Sequence, residues 1–188
     1  MEKKLDLRVQ KTYKALLTSL YDLLCEKSFD DITVTELCDR AETRKATFYK
    51  HFGDKRELLT FMIKEMQRTS KEENQLVYDV RQPQSYYVGV FRYFLNFLDE
   101  NEKFTRQILT SNASAVVIDL LSEQIEADLR GHMKEDMARG IELPAEANML
   151  AVSYTGAMVY CGRWWICQNK PLDKEIVIAH FSGLIMKL

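Results

Sequence analysis

Three features of the sequence predict an all-α protein of about nine helices. Glycine and proline are scarce, 7 and 3 in 188 residues, while Leu, Glu, Lys, Ala and Met are common. Few breakers and many strong helix formers favour long helices. Apolar residues recur at three- and four-residue spacings along most of the chain, and no segment reads convincingly as a strand. Hydrophobic residues make up 46% of the sequence, ample for one or two packed cores.

Residues 8–27 place Val9, Tyr13, Leu16, Leu17, Leu20 and Leu24 on one face, with Arg8, Lys11, Lys14 and Asp22 off it. This is an amphipathic first helix, stopping near Ser28-Phe29-Asp30-Asp31. Thr33-Val34-Thr35-Glu36 has the form of a capping box and opens a short helix carrying Val34, Leu37, Cys38 and Ala41. After a break at Glu42-Thr43, a second short helix is expected from Arg44 to His51. Asp54-Lys55-Arg56-Glu57 offers a second capping box, for a long helix reaching about Val80. Pro83 marks a boundary, since it cannot continue one helix but suits the first turn of the next.

Tyr87, Phe91, Phe94, Leu95 and Leu98 then share a face, followed by a short segment from Lys103 to Leu109. A long helix is expected from about Ala113 to Arg139, with Gly140 placed to end it. Pro144 is expected to open another, with Ala147, Leu150, Ala151, Tyr154, Met158, Cys161 and Trp165 on one stripe. Asn169-Lys170-Pro171 breaks it. A last helix from about Asp173 carries Ile176, Val177, His180, Phe181 and Leu184.

The formal charge of −2 is unevenly spread: residues 1–56 hold twelve Lys and Arg against ten Asp and Glu, and the remainder fourteen against eighteen. A mildly basic head on an acidic body suits a DNA-binding module joined to a body that binds something else. Cys25, Cys38, Cys161 and Cys167 fall in apolar helical patterns without C-x-x-C spacing, so reduced thiols are expected. No signal peptide or membrane-length apolar run is evident, and the chain reads as cytoplasmic with no membrane partner.

Thr33 to Lys55 is the informative stretch. Two short helices joined by a tight turn, supported by a longer first helix, make a helix-turn-helix, whose second helix enters the major groove. Phe48 and Phe52, four apart, should point inward. The opposite face then presents Ala46, Thr47, Tyr49 and Lys50, with Arg44, Lys45 and His51 at its flanks. Lys and Arg neutralise phosphates, Thr and Tyr hydroxyls donate to phosphate oxygens, and Ala46 permits approach to a thymine methyl.

Ala-Thr-Phe-Tyr-Lys-His-Phe-Gly-Asp-Lys-Arg-Glu-Leu-Leu, residues 46–59, resembles the signature of the TetR family of regulators. Ile32 to Ala41 is similar to that family's preceding helix, and the resemblance covers about residues 8–60. It implies that Tyr49 and Lys55 hold phosphates, that Thr35, Lys45, Ala46, Thr47 and Lys50 lie nearest the bases, and that His51 sits beside the backbone; Thr33 completes the expected DNA-contacting set. Two positions depart from the pattern: Glu42 stands where the turn usually has Gly, and Arg44 where the next helix opens with Ser or Asn. If Glu42 needs positive φ, that costs about 1 kcal/mol, and Thr43 would be the substitute cap.

The resemblance further implies a helix-turn-helix domain over 1–53 and a regulatory and dimerisation domain over 54–188. Its last two long helices, 145–168 and 173–187, would pair with a second copy in a four-helix interface involving Gly156, Tyr160, Trp164, Trp165, Phe181 and Leu184. Gly156, Ala157 and Gly162 would allow close helix approach there. The body would hold a small-molecule effector, sought among Met62, Met66, Tyr87, Phe91, Phe94, Phe104 and Tyr154. The pattern from Gly156 to Trp165 before the Pro-interrupted break is similar to regulators common in Firmicutes.

The expected function is therefore a homodimeric, ligand-responsive repressor of a palindromic site in double-stranded DNA. The alternative is a TetR-like coactivator that works through a protein partner, as activators of dihydroxyacetone-kinase operons do, with a solidly packed body. His51, His132 and His180 are scattered without ligand spacing, so no metal is expected. With no P-loop, nucleophile motif or dinucleotide fingerprint, neither a cofactor nor enzymatic activity is expected.

Overall fold

The computed structural model describes residues 7–73, 82 and 84–185. Among these the chain forms nine α-helices and one 3-10 turn, with no strand. The helices are α1 (Leu7–Glu26), α2 (Val34–Arg40), α3 (Lys45–His51), α4 (Lys55–Glu73), α5 (Gln84–Glu100), α6 (Glu102–Leu109), α7 (Ser114–Ala138), α8 (Ala147–Cys167) and α9 (Lys174–Ile185). The expected extension of α4 to Val80, the Pro83 boundary and the end of the last helix lie outside the described residues.

Local chemistry accounts for most helix ends. Thr33 caps α2, its hydroxyl accepting from the Glu36 amide at 3.2 Å. The reciprocal half of that box is absent, because the Glu36 carboxylate turns to Lys27 at 2.6 Å. The Asp54 carboxylate accepts from the amides of Arg56 and Glu57 at 2.8 and 2.9 Å, and the Glu57 carboxylate accepts from the Gly53 amide. Gly140, at φ +83°, ends α7. Pro144, expected to open α8, instead lies in the loop before it. Glu146 is the cap, its carboxylate accepting from the Met149 amide at 2.9 Å.

Packing divides into two cores. The first is built by α1 to α4, with Leu16, Leu20, Leu24, Leu37, Phe48 and Leu58 all fully buried. Phe104 and Ile108 of α6, Ala113 just before α7 and Val117 of α7 complete it, so packing runs across the expected boundary at residue 54. The second core joins α5, α7, α8 and α9 around Phe91, Leu95, Leu129, Met158 and Ile166. All four cysteines are free thiols, with Cys38 buried. Among the described residues no helix is long and apolar enough to cross a membrane.

Gly162 is a point of close approach between α8 and α5. A Cβ there would lie 2.5 Å from Phe94 Cε1 and 3.0 Å from Leu98 Cδ1. Its small size thus serves packing within the chain, whereas a Cβ on Gly156 would meet nothing within 4 Å. Gly162→Ala is expected to lower stability by about 1–3 kcal/mol through overpacking, read as a reduced denaturant midpoint. Unchanged stability would refute the close contact.

Candidate nucleic-acid interface and body cavities

The turn between α2 and α3 is tight: the Thr43 amide donates to the Cys38 carbonyl at 2.9 Å, and that of Glu42 to Asp39 at 3.2 Å. Glu42 has φ +48°, the left-handed conformation expected of that position, and carries the associated strain of about 1 kcal/mol. Arg44 occupies the N-cap of α3 without a side-chain cap bond. Thr43 is no substitute, since its hydroxyl donates to the Ala41 carbonyl at 3.1 Å.

One side of α3 is anchored and the other is open. Phe48 is fully buried and packs against Phe52, their ring centroids 5.8 Å apart. On the opposite side Arg44, Lys45, Ala46 and Lys50 are exposed, Thr47 is half-buried, and Tyr49 is 57% exposed. Thr35 is exposed on α2, as is Thr33 with its oxygen engaged in the cap. His51 is half-buried, its Nδ1 3.4 Å from the Tyr13 hydroxyl and its ring set edgewise on the Tyr13 ring. Tyr13, from α1, also meets Phe52 and Phe61. Sequence reasoning placed Tyr13 on the buried stripe without foreseeing that it would orient His51.

Charge on this surface is sorted by pairing. Arg40 grips the Glu26 carboxylate at 2.6 and 3.0 Å, and Lys27 is held by Glu36. Among the described residues, Arg44, Lys45 and Lys50 enter no ion pair, which leaves the cations of α3 open to an external anion.

Lys55 departs from expectation. Its ammonium donates to the carbonyls of Phe29, Asp30 and Ile32 at 2.8, 3.0 and 2.7 Å, and lies 4.7 Å from the centre of the Phe29 ring. Burial pushes its pKa below the usual lysine value, against the opposing pull of Asp30. All three ammonium donors are thus directed at the segment between α1 and α2, where the free-cation reading of the sequence expected phosphate. Lys55→Met should remove these three hydrogen bonds and destabilise the protein by about 1–3 kcal/mol. An unchanged melting curve would return Lys55 to the surface role.

The expected interface residues of the body separate into two groups. Gly156 is half-buried, Trp164 is exposed, and Tyr160 and Leu184 are each 63% exposed; Met149 and Val152 of α8 and Ile176 of α9 are also exposed. Trp165 and Phe181 do not belong to it, being 2% and 3% exposed. The Trp165 indole N–H donates to the Leu172 carbonyl at 2.8 Å, and Phe181 packs on Phe91 with centroids 4.3 Å apart. Trp165 was drawn in by its neighbour Trp164, and Phe181 by Leu184 one turn on.

The expected pocket residues also separate. Met66, Phe94 and Phe104 line an apolar cavity of about 180 Å³ between α4, α5, α6 and α7. Tyr87 and Tyr154 line a different, more polar hollow beside Asp136. The Tyr87 hydroxyl donates to Asp136 at 3.2 Å; burial, then the Asp136 charge, push its pKa well above the usual tyrosine value. Met62 and Phe91 line neither cavity: Met62 is buried in the first core and Phe91 in the second. Among the described residues no group of His, Cys, Asp and Glu is arranged to hold a metal.

Comparison with known proteins agrees with this geometry. The family described as bacterial regulatory proteins, tetR family, matches residues 16–60, from the middle of α1 into α4. The Bacillus subtilis HTH-type transcriptional regulator YdeS is 48% identical over 48 residues, which are 26% of this chain and 24% of that protein. The chain thus aligns with about a quarter of that relative's length. In solved structures the likeness extends over the whole fold. A TetR-family regulator from Syntrophomonas wolfei superposes with a TM-score of 0.74 at 16% identity, covering 95% of this chain and 94% of the other. The dihydroxyacetone kinase operon activator DhaS superposes at 0.65 with 18% identity, covering 94% of each chain. Residues 16–60 thus carry the signature of the tetR family of bacterial regulatory proteins, and the nine helices among the described residues share the fold of TetR-family regulators.

Proposed function

We propose that the protein is a homodimeric transcriptional regulator that grips a palindromic DNA site with α3 and releases it when a small molecule enters the body. The one-sided construction of α3 carries this reading. Its buried Phe48 fixes the helix, and Arg44, Lys45, Thr47, Tyr49 and Lys50 project where phosphates and major-groove base edges would lie. Thr33, Thr35, Ala46 and His51 surround them. Lys55 contributes by bracing the segment that leads into α2.

Dimerisation is supported by the exposed apolar side chains of α8 and α9, Tyr160, Trp164 and Leu184 among them. Large exposed hydrophobic groups in one patch are unusual on a monomer and mark association surfaces. Two-fold pairing there would set two copies of α3 on one side of the dimer, about one DNA turn apart. The apolar cavity favours a ligand-responsive regulator over a coactivator with a solidly packed body, although DhaS shares the fold.

DNA fragments selected from the source genome by the purified protein provide the test substrate. Affinity is expected to fall steeply with salt, the logarithmic slope changing by about 0.9 for each phosphate neutralised. Lys50→Ala and Lys45→Ala should each weaken binding, and Lys45→Ala or a Thr47 substitution should change site preference. Wild-type affinity and slope in a Lys45→Ala, Lys50→Ala double variant would sink the assignment. Trp164→Glu with Leu184→Glu should yield monomers in sedimentation and at least a tenfold loss of affinity; a persistent dimer would place the interface elsewhere.

A further inference from the structure

The apolar cavity lies at the seam of the two cores. Ile63, Phe104, Ile108 and Val117 on its wall belong to the first, and Val90, Phe94, Leu98 and Leu109 to the second. Phe97 and Leu121, also on the wall, pack against both. An occupant would therefore touch both halves of the molecule at once.

Volume restricts what that occupant can be. An apolar protein cavity of about 150 Å³ accepts benzene, and this one measures about 180 Å³. A single six-membered ring fits inside with one or two further heavy atoms, whereas a long acyl chain would extend through the open side of the cavity. Five aromatic rings, those of Tyr86, Tyr93, Phe94, Phe97 and Phe104, contribute to the wall. Such rings pack favourably edge-to-face or offset against another planar ring.

Polar groups on the wall restrict it further. The Thr105 hydroxyl donates to helix carbonyls, with Asn101 at 2.9 Å and Glu102 at 3.1 Å. Gln124 donates its amide nitrogen to the Asp128 carboxylate at 2.9 Å. Gln124 and Asp128 of α7 thus bring oxygen acceptors to the wall, the ionised Asp128 carboxylate having no donor of its own, beside the hydroxyls of Tyr86 and Tyr93. Oxygen acceptors favour a ligand that donates a hydrogen bond, and a carboxylate disfavours a second carboxylate beside it.

From size, aromatic wall and acceptor pair together, we infer that the effector is a compact, uncharged single-ring aromatic compound bearing a hydrogen-bond donor, of the phenol class. The inference rests on the reading of this cavity as the effector site and names the chemistry of its ligand.

The full-length protein is titrated with 4-methylphenol, toluene, benzoate and dodecanoate, following its melting temperature and its hold on selected DNA fragments. 4-Methylphenol should raise the melting temperature saturably and release DNA; toluene should bind more weakly and benzoate at least tenfold more weakly. Gln124→Leu should erase the preference for 4-methylphenol over toluene. Leu121→Trp, which fills the cavity, should abolish binding of both while the protein keeps a cooperative melt and its DNA affinity. If Leu121→Trp fails to fold, Gln124→Leu alone carries the test.

Stronger binding of benzoate or dodecanoate overturns the ligand class, and if either releases DNA the regulatory reading stands. Binding of 4-methylphenol without DNA release leaves the ligand class standing and overturns the regulatory reading. If no probe binds, or if 4-methylphenol binds equally to the filled variant, the inference is refuted.

Discussion

A seven-residue helix has too few hydrogen bonds to survive alone in water, so α3 exists only because Phe48 is buried. That ring sits at zero exposure among Leu20, Leu24 and Leu37 of the same core. The anchor sets which way the helix faces, and every exposed residue of the candidate interface follows from it. Tyr49 is outward because Phe48 is inward, and Lys45 and Lys50 flank the open side for the same reason. The surrounding chemistry reinforces the arrangement: the Arg40–Glu26 and Lys27–Glu36 pairs draw neighbouring charge back onto α1 and α2, while Lys55 clasps the segment before α2.

The head is attached to the body chiefly through α6. Tyr21 of α1 stacks on Phe104 at 5.0 Å and its hydroxyl donates to Asn101 at 3.0 Å. The Asn112 amide donates to the Asp30 carboxylate, tying the loop after α6 to the turn after α1. At its other end α6 is held to the turn between α8 and α9, where Lys170 pairs with Asp99 and Glu102 and Arg106 reaches Asn169. These carboxylates are held below their usual pKa, first by the hydrogen bond to Lys170. One eight-residue helix thus contacts the head, the cavity and the base of the apolar face. An occupant of the cavity that displaced Phe104 would act on the Tyr21 stack directly.

The head was largely legible because its determinants are local. Capping at Thr33 and Asp54, and the inward pair Phe48 and Phe52, depend on residues within a few positions of one another. The body was legible as helices but less so as sites. Trp165 and Trp164 are adjacent aromatics, and periodicity does not say which is buried; the Leu172 carbonyl holds Trp165 inside by receiving its N–H, and Trp164 is left exposed. Met62 and Phe91 have the composition of a pocket wall, yet they fill cores whose other members come from distant segments. The carbonyl contacts of Lys55 were not legible for a related reason, since those partners lie more than twenty residues upstream.

By itself, then, the sequence determined the helix inventory and which side of α3 is buried and which is open. Both follow from hydrophobic period, capping and turn chemistry, which act over one or two helical turns. Tertiary structure decided what those short-range rules do not reach. It turned Lys55 inward, assigned Gly162 to the contact with α5, and buried Trp165 and Phe181. It also brought α4, α5, α6 and α7 together around the cavity at the seam of two cores. These are contacts between residues far apart in the chain, and a periodic pattern marks which face is buried without naming what buries it.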